Sequence, residues 1–170
     1  GAYFEAHIEQ GPVLEANAKT IGVVQAVLGI RWYDCTVTGM EAHAGPTPMA
    51  VRKDALQVST RLMQEVVALA NRYQPHGRGT VGMVRVHPNS RNVIPGSVKF
   101  SIDLRNATDA LVDEMDAEIR KYAAALAVET GLDIQLELVS QYPAQPFHPN
   151  CIAAVQRAAD KLGYASMPAV

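Results

Sequence analysis

Cysteine is scarce. Only Cys35 and Cys151 occur in 170 residues, which excludes a disulfide framework and leaves cohesion to a packed core. Both are read as reduced thiols of a cytoplasmic protein, with Cys35 in the core of a strand-like run. Long hydrophobic runs are also missing. None approaches the roughly 18 residues that cross a bilayer, and no stretch has the basic-then-apolar pattern of a secretion leader. No engagement with a membrane is expected. Charge of one sign is absent too: 15 Lys and Arg face 17 Asp and Glu, for a net charge of −2. The basic residues are scattered, so neither a nucleic-acid groove nor a polybasic patch is expected.

What remains is an ordinary globular composition. With 48% hydrophobic and 19% charged residues, the chain can bury one real core. It opens directly into a strand-like segment without an initiator Met and closes on SMPAV. We therefore expect a piece of a longer protein.

The segment EAHIEQGP, residues 5–12, reads as a strand halted by Gly-Pro. Phe4, Ala6 and Ile8 fall on one face, and Tyr3, Glu5, His7 and Glu9 on the other. Residues 20–39 are rich in Val, Ile, Thr, Trp and Tyr and predict two strands or one bent strand. From about 49 to 73 the period becomes helical. Leu56, Met63, Val67 and Ala70 share a face, flanked by Leu62, Val66 and Leu69. QPHGRG, residues 74–79, ends that helix. TVGMVRVHP reads as a strand, NSRNVIPG as a turn, and SVKFSIDLRN as a strand with Val98, Phe100, Ile102 and Leu104 on one face. Thr108 caps a second helix with the stripe Leu111, Met115, Ile119, Tyr122 and Leu126, stopped at Gly131. DIQLELVS is another strand, YPAQPFHPN a hinge, and Asn150 caps a last helix ending at Gly163.

From residue 30 to 140 the order is strand, helix, strand, strand, helix, strand. This predicts an α+β, ferredoxin-like βαβ-βαβ domain: a four-stranded antiparallel sheet with two helices on one face. It is expected over 20–142. Residues 1–19 and 143–170 would belong to a second, interrupted α/β domain.

Three loops set polar groups beside Gly or Pro. HIEQGP offers His7, an imidazole that can ligate a metal, although one His is not a site. EAHAGPTP, residues 41–48, sets His43 between small neighbours that leave it accessible. NVIPGSVKFSIDLR brings Asn92 before a turn and Arg105 at the end of a strand. A guanidinium fork suits a carboxylate, and a carboxamide both donates and accepts. From the residues alone, each also reads as an ordinary turn or surface side chain.

Taken together, HIEQGPVLE, GMEAHAGPTPM and NVIPGSVKFSIDLR resemble the amidase, hydantoinase and carbamoylase branch of the M20 metallopeptidase-like family. The resemblance covers essentially the whole chain. It implies a catalytic α/β domain that binds two divalent metals (Zn, Mn, Ni or Co), with an inserted ferredoxin-like lid that makes a homodimer. It further implies that His7 is a metal ligand and that Gln10 lines the same cleft. His43 would polarise the scissile carbonyl of a substrate held by the partner subunit. Asn92 and Arg105 would hold the substrate's carboxylate. The substrate would be an N-carbamoyl amino acid or related ureido acid.

The family's other ligands and its Glu base sit in Glu-Glu and His-Asp contexts, and this chain has neither pair. By itself it is expected to be inactive and to hold no metal stably. An aminoacylase or dipeptidase of the same superfamily, and a dimerisation or ligand-binding module without chemistry, are the alternative readings.

Overall fold

Apolar residues on every second position drive two ten-residue strands, Gly29–Thr38 and Ser97–Asn106, against two long helices. The computed structural model describes all 170 residues, Gly1–Val170. In chain order the elements are α1 (Val13–Ala16), β1 (Ile21–Val24), β2 (Ala26–Val27), β3 (Gly29–Thr38), β4 (Ala42–His43), α2 (Ala55–Arg72), β5 (Arg78–Thr80), β6 (Val84–His87), β7 (Val93–Ile94), β8 (Ser97–Asn106), α3 (Asp109–Thr130), β9 (Asp133–Tyr142), β10 (Gln145–Pro146), α4 (Pro149–Leu162) and β11 (Ser166–Ala169). They form two compact units, one of residues 29–143 and one of residues 1–28 with 144–170.

In the 29–143 unit, β8 and β3 are the central strands, with β9 outside β3 and β5 outside β8. All pairings are antiparallel. β5 and β6 both pair with β8 and occupy one strand position. The expected strand over TVGMVRVHP is thus broken. Ser101 spans the break, its N–H donating to the Met83 carbonyl while its Oγ accepts from the Met83 N–H. Counting β5 and β6 as one, the four positions run 2-3-1-4 in chain order, which is the ferredoxin-like arrangement.

The side of the sheet facing the helices carries Tyr33, Cys35 and Val37 from β3 and Val98, Phe100, Ile102 and Leu104 from β8, all buried. They pack with Leu62, Val66 and Leu69 of α2 and Met115, Ile119 and Leu126 of α3 in one cluster. Both helices therefore cover the same face. Alternation sends Asp34, Lys99, Ser101, Asp103 and Arg105 to the other face. Burial raises the Cys35 thiol to about 12, which leaves it inert.

The face of α2 is rotated from the expected one. Leu62, Val66 and Leu69, expected at the flank, are its centre, and Val67 is 50% exposed. A stripe can be drawn through either set at helical spacing, and contact with the sheet chooses between them. On α3, Val112 and Ala123 are buried in addition to Met115, Ile119 and Leu126. Asp54 Oδ1 caps α2 by accepting from the N–H groups of Leu56 and Gln57, and Thr108 caps α3 as expected. Gly131 ends α3 at φ 66°, a left-handed conformation that costs glycine least.

The helices are also tied by charge. Arg61 and Glu129 form a two-point pair, and Arg72 bridges Glu65 and Glu118. The Tyr73 hydroxyl donates to Glu118 at 2.7 Å. Between the sheet and α3, the Tyr33 hydroxyl donates to Asp116, which also pairs with Arg31.

The second unit holds the chain's flanks. β1 pairs in parallel with β11, and β2 pairs with β10. Residues 21–27 therefore pair with the C-terminal segment, and the sheet unit begins at Gly29 rather than at 20. The strand β11 was not foreseen, because its ladder partner is more than a hundred residues away in sequence. The strand expected around EAHIEQGP does not form. Residues 3–10 have no ladder partner and are exposed. His148, not Asn150, caps α4, its Nδ1 accepting from the Asn150 N–H with Pro149 as the first helical residue. No helix is long and apolar enough to cross a membrane.

Two measurements test this packing. In urea denaturation, Leu62→Ala should cost about 2–5 kcal/mol, whereas Val67→Ala should stay within about 0.5 kcal/mol; the reverse order would mean the helix presents its other face. The hydrogen bonds from Arg72 and Tyr73 hold the Glu118 carboxyl below its ordinary value of 4.5. Its contribution is thus present above that value and is lost as pH falls through the lower folded one. Glu118→Gln should flatten the acid side of the urea-midpoint profile, and an unchanged slope would remove Glu118 from the account.

Candidate functional site

β4 is only two residues long, yet it determines where the loop imidazole sits. It pairs antiparallel with β7, setting His43 opposite Val93. The Ala44 N–H donates to the Asn92 carbonyl at 2.8 Å and extends the pairing by one step. His43 and Asn92, nearly a third of the chain apart in sequence, thus become neighbours on exposed backbone. Ser90 Oγ donates to Asn92 Oδ1 at 2.9 Å, which orients the carboxamide.

The His43 ring is held by its own loop. The Gly45 N–H donates to His43 Nδ1 at 3.0 Å. An accepting Nδ1 has no proton, so the neutral ring carries it on Nε2. Thr47 Oγ1 donates to the His43 carbonyl at 2.6 Å. The arrangement presents one outward N–H donor, the form needed to meet developing negative charge on a carbonyl oxygen.

Arg105 is elsewhere. It lies near the far end of β8 from Ser97, the end at which β7 joins. At about 3.3 Å per residue, Ser97 and Arg105 are roughly 26 Å apart. The expected joint hold of Asn92 and Arg105 on one carboxylate is therefore not formed within a chain. Arg105 is paired side-on with Asp103, its Nε and Nη2 donating at 2.7–3.2 Å. That pairing raises the guanidinium above its ordinary value. Nη1 takes no part in the pair. Asp103 is two residues upstream on the same face of the strand, and only the alternation within SIDLR hints at it.

In the other unit, His7 Nδ1 lies 2.6 Å from the Ile8 carbonyl oxygen. Only a protonated Nδ1 makes that contact favourable, so Nε2 keeps its lone pair, the form that binds a metal. The imidazole fits a ligand's role. The ligand set does not close, because no three His, Cys, Asp or Glu side chains in the chain converge on a metal. The neighbouring carboxylates have other work. Glu9 accepts from the Val13 and Leu14 N–H groups at 2.8 and 3.0 Å, capping α1, and Glu5 accepts from the Tyr3 hydroxyl. Gln10 has φ 55°, a left-handed conformation rare outside glycine. His7 lines a cleft of about 770 Å³ that is largely apolar, with Tyr3, Phe4, Val24, Phe147 and Ile152 among its walls.

The sheet and its two covering helices define a ferredoxin-like α+β module. Residues 26–131 match the family described as the peptidase dimerisation domain, M20_dimer. The chain belongs to that family. It is 43% identical over 166 residues to the N-carbamoyl-L-amino-acid amidohydrolase of Rhizobium meliloti, covering 98% of this chain and 40% of that one. The allantoate amidohydrolase of Escherichia coli K12 is 34% identical over 168 residues, with coverage of 98% and 41%. In structure, an amidase of the hydantoinase/carbamoylase family from Burkholderia multivorans superposes with a TM-score of 0.94 at 49% identity, covering 96% of this chain and 40% of that one. The chain thus spans about 40% of the length of the curated relatives it matches.

A single well-formed imidazole without companions should hold zinc only weakly. Melting this chain with and without added Zn²⁺ should give the same midpoint, since stabilisation follows binding to the folded state. A metal-dependent rise abolished by His7→Ala would reveal ligands that the geometry does not identify.

Proposed function

We propose that this chain is the lid, with flanking parts of the catalytic domain, of a longer metal-dependent amidohydrolase. Its substrate would be an N-carbamoyl amino acid or a related ureido acid, cleaved at the carbamoyl C–N bond. The observation that carries this reading is His43, exposed on its loop with Nδ1 already occupied by the Gly45 N–H. The names of the relatives at 43% and 34% identity support the substrate class.

In this reading residues 29–143 are the lid and the 1–28 and 144–170 segments are catalytic-domain pieces. His7 contributes one ligand, and Gln10 lines the metal cleft. Two divalent ions (Zn, Mn, Ni or Co) would supply Lewis acidity and an activated water. His43 donates its Nε2 proton as a hydrogen bond to the carbonyl oxygen as negative charge develops there. Arg105 offers the guanidinium edge left open by Asp103 to the substrate's carboxylate.

The separation of Arg105 from His43 and Asn92 along β8 supports a dimer in which the two ends of one lid serve different sites. Arg105 would anchor one substrate, and His43 with Asn92 would reach the substrate held by the partner subunit. The family description, a dimerisation domain, agrees with that assembly. Two cysteines, both free, agree with action in the cytoplasm.

The test is metal-dependent hydrolysis by the full-length protein on N-carbamoyl amino acids, N-carbamoyl-β-alanine, allantoate, N-acyl amino acids and dipeptides. Carbamoyl or ureido turnover, lost on chelation, is expected; turnover of acyl or peptidyl substrates alone would favour an aminoacylase or dipeptidase. His43→Ala should lower kcat by roughly 10²–10³. Arg105→Ala should raise KM for carboxylate-bearing substrates, and Arg105→Lys should not restore it, because the fork is lost.

A further inference from the structure

Arg31, Arg61, Arg72, Arg105 and Arg120 each pair with a carboxylate, whereas Arg78 and Arg52 turn to backbone carbonyls, Arg78 to those of its own turn at Pro75 and Gly77. Arg52 is half-buried, and its donors go to backbone carbonyls. Nη2 donates to the Ala44 carbonyl at 2.7 Å and to the Thr47 carbonyl at 2.9 Å, and Nε donates to Thr47 at 3.1 Å. These carbonyls lie on either side of Gly45 and Pro46. A planar fork on two carbonyls fixes the chain between them in a way one point charge does not. The segment so fixed carries the Gly45 N–H that donates to His43 Nδ1. The fit is close, since a Cβ on Gly45 would come within 3.2 Å of the His43 ring.

We propose that Arg52 is the positioning residue for His43: by clamping the Ala44 and Thr47 carbonyls it aims the Gly45 N–H at Nδ1, and so presents the ring with its proton on Nε2. This rests on the reading of His43 as the donor to the scissile carbonyl. It adds a residue that touches neither substrate nor metal and that the imidazole depends on. A mainly structural Arg would brace the loop without affecting the ring's hydrogen bond.

The test reads that hydrogen bond directly. In this chain labelled with ¹⁵N at His and Gly, at about pH 9 where an ordinary imidazole is neutral, a scalar coupling between Gly45 N and His43 Nδ1 is expected. Arg52→Met should abolish it while the melting midpoint and the sheet amide shifts stay put. Arg52→Lys should restore it only in part. Gly45→Ala, which crowds the ring and leaves Arg52 in place, should weaken it too. In the full-length protein Arg52→Met should lower kcat by about 10- to 100-fold with little change in KM, as misplacement of a catalytic group does.

An intact coupling in folded Arg52→Met overturns the inference. So does unchanged kcat in that variant when His43→Ala has lost turnover. If Arg52→Met does not fold, full coupling and full kcat in Arg52→Lys, which lacks the planar fork, overturn it instead. Full turnover by His43→Ala would remove the functional reading of His43, whereas loss of coupling in Arg52→Met would still support the clamp.

Discussion

Burial of one face of the β3–β8 pair against α2 and α3 is the constraint from which the rest follows. Tyr33, Cys35, Val37, Val98, Phe100, Ile102 and Leu104 are all buried on that face. A strand's side chains alternate, so satisfying this face dictates the other. Asp34, Lys99, Asp103 and Arg105 are thereby sent to the open side of the sheet. A register slip of one residue would bury Arg105 and expose Leu104. The position of a candidate carboxylate anchor is thus a consequence of hydrophobic burial.

The polar loops use a different device. β7 is anchored by the buried Ile94, and the loop that follows β4 is shaped by hydrogen bonds to the backbone. The Gly45 N–H, Thr47 Oγ1 and the Arg52 fork all act on one short segment. Each bond contributes modestly in water-exposed surroundings. Together they decide which nitrogen of one imidazole carries a proton. At His7 the same decision is made by a single contact to the Ile8 carbonyl, and the outcome is opposite. One ring is left with an outward donor and the other with an outward lone pair.

Much of this layer was legible in the sequence. The 2-residue and 3.6-residue periods marked both long strands of the core and both helices, and Thr108 and Gly131 marked the limits of α3. The failures share one origin. Val67 was expected on the core face of α2 and is exposed, because several helical stripes are possible and only the sheet selects one. EAHIEQGP alternates like a strand but has no ladder partner in this chain. No strand was expected at SMPAV, and Ser166–Ala169 forms one because β1 lies beside it. Asn150 looked like a cap, and the preceding His-Pro displaced it. Among candidate site residues, His7, Gln10, His43, Asn92 and Arg105 were named through motifs. Arg52 and Asp103 were missed, because a side chain that acts on a neighbour's backbone or charge has no signature of its own.

The amino-acid sequence alone determined the order of the main elements, the apolar faces of β3 and β8, the caps of α3 and the family resemblance, since all of these are set by contacts close along the chain or by patterns repeated within it. Only the tertiary structure decided which face of α2 is buried, that β1 finds β11, that His43 adjoins Asn92 while Arg105 lies at the other end of β8, and which imidazole nitrogen is protonated. Those outcomes depend on backbone groups brought together across long stretches of sequence, where the deciding hydrogen bond is made by atoms every residue carries.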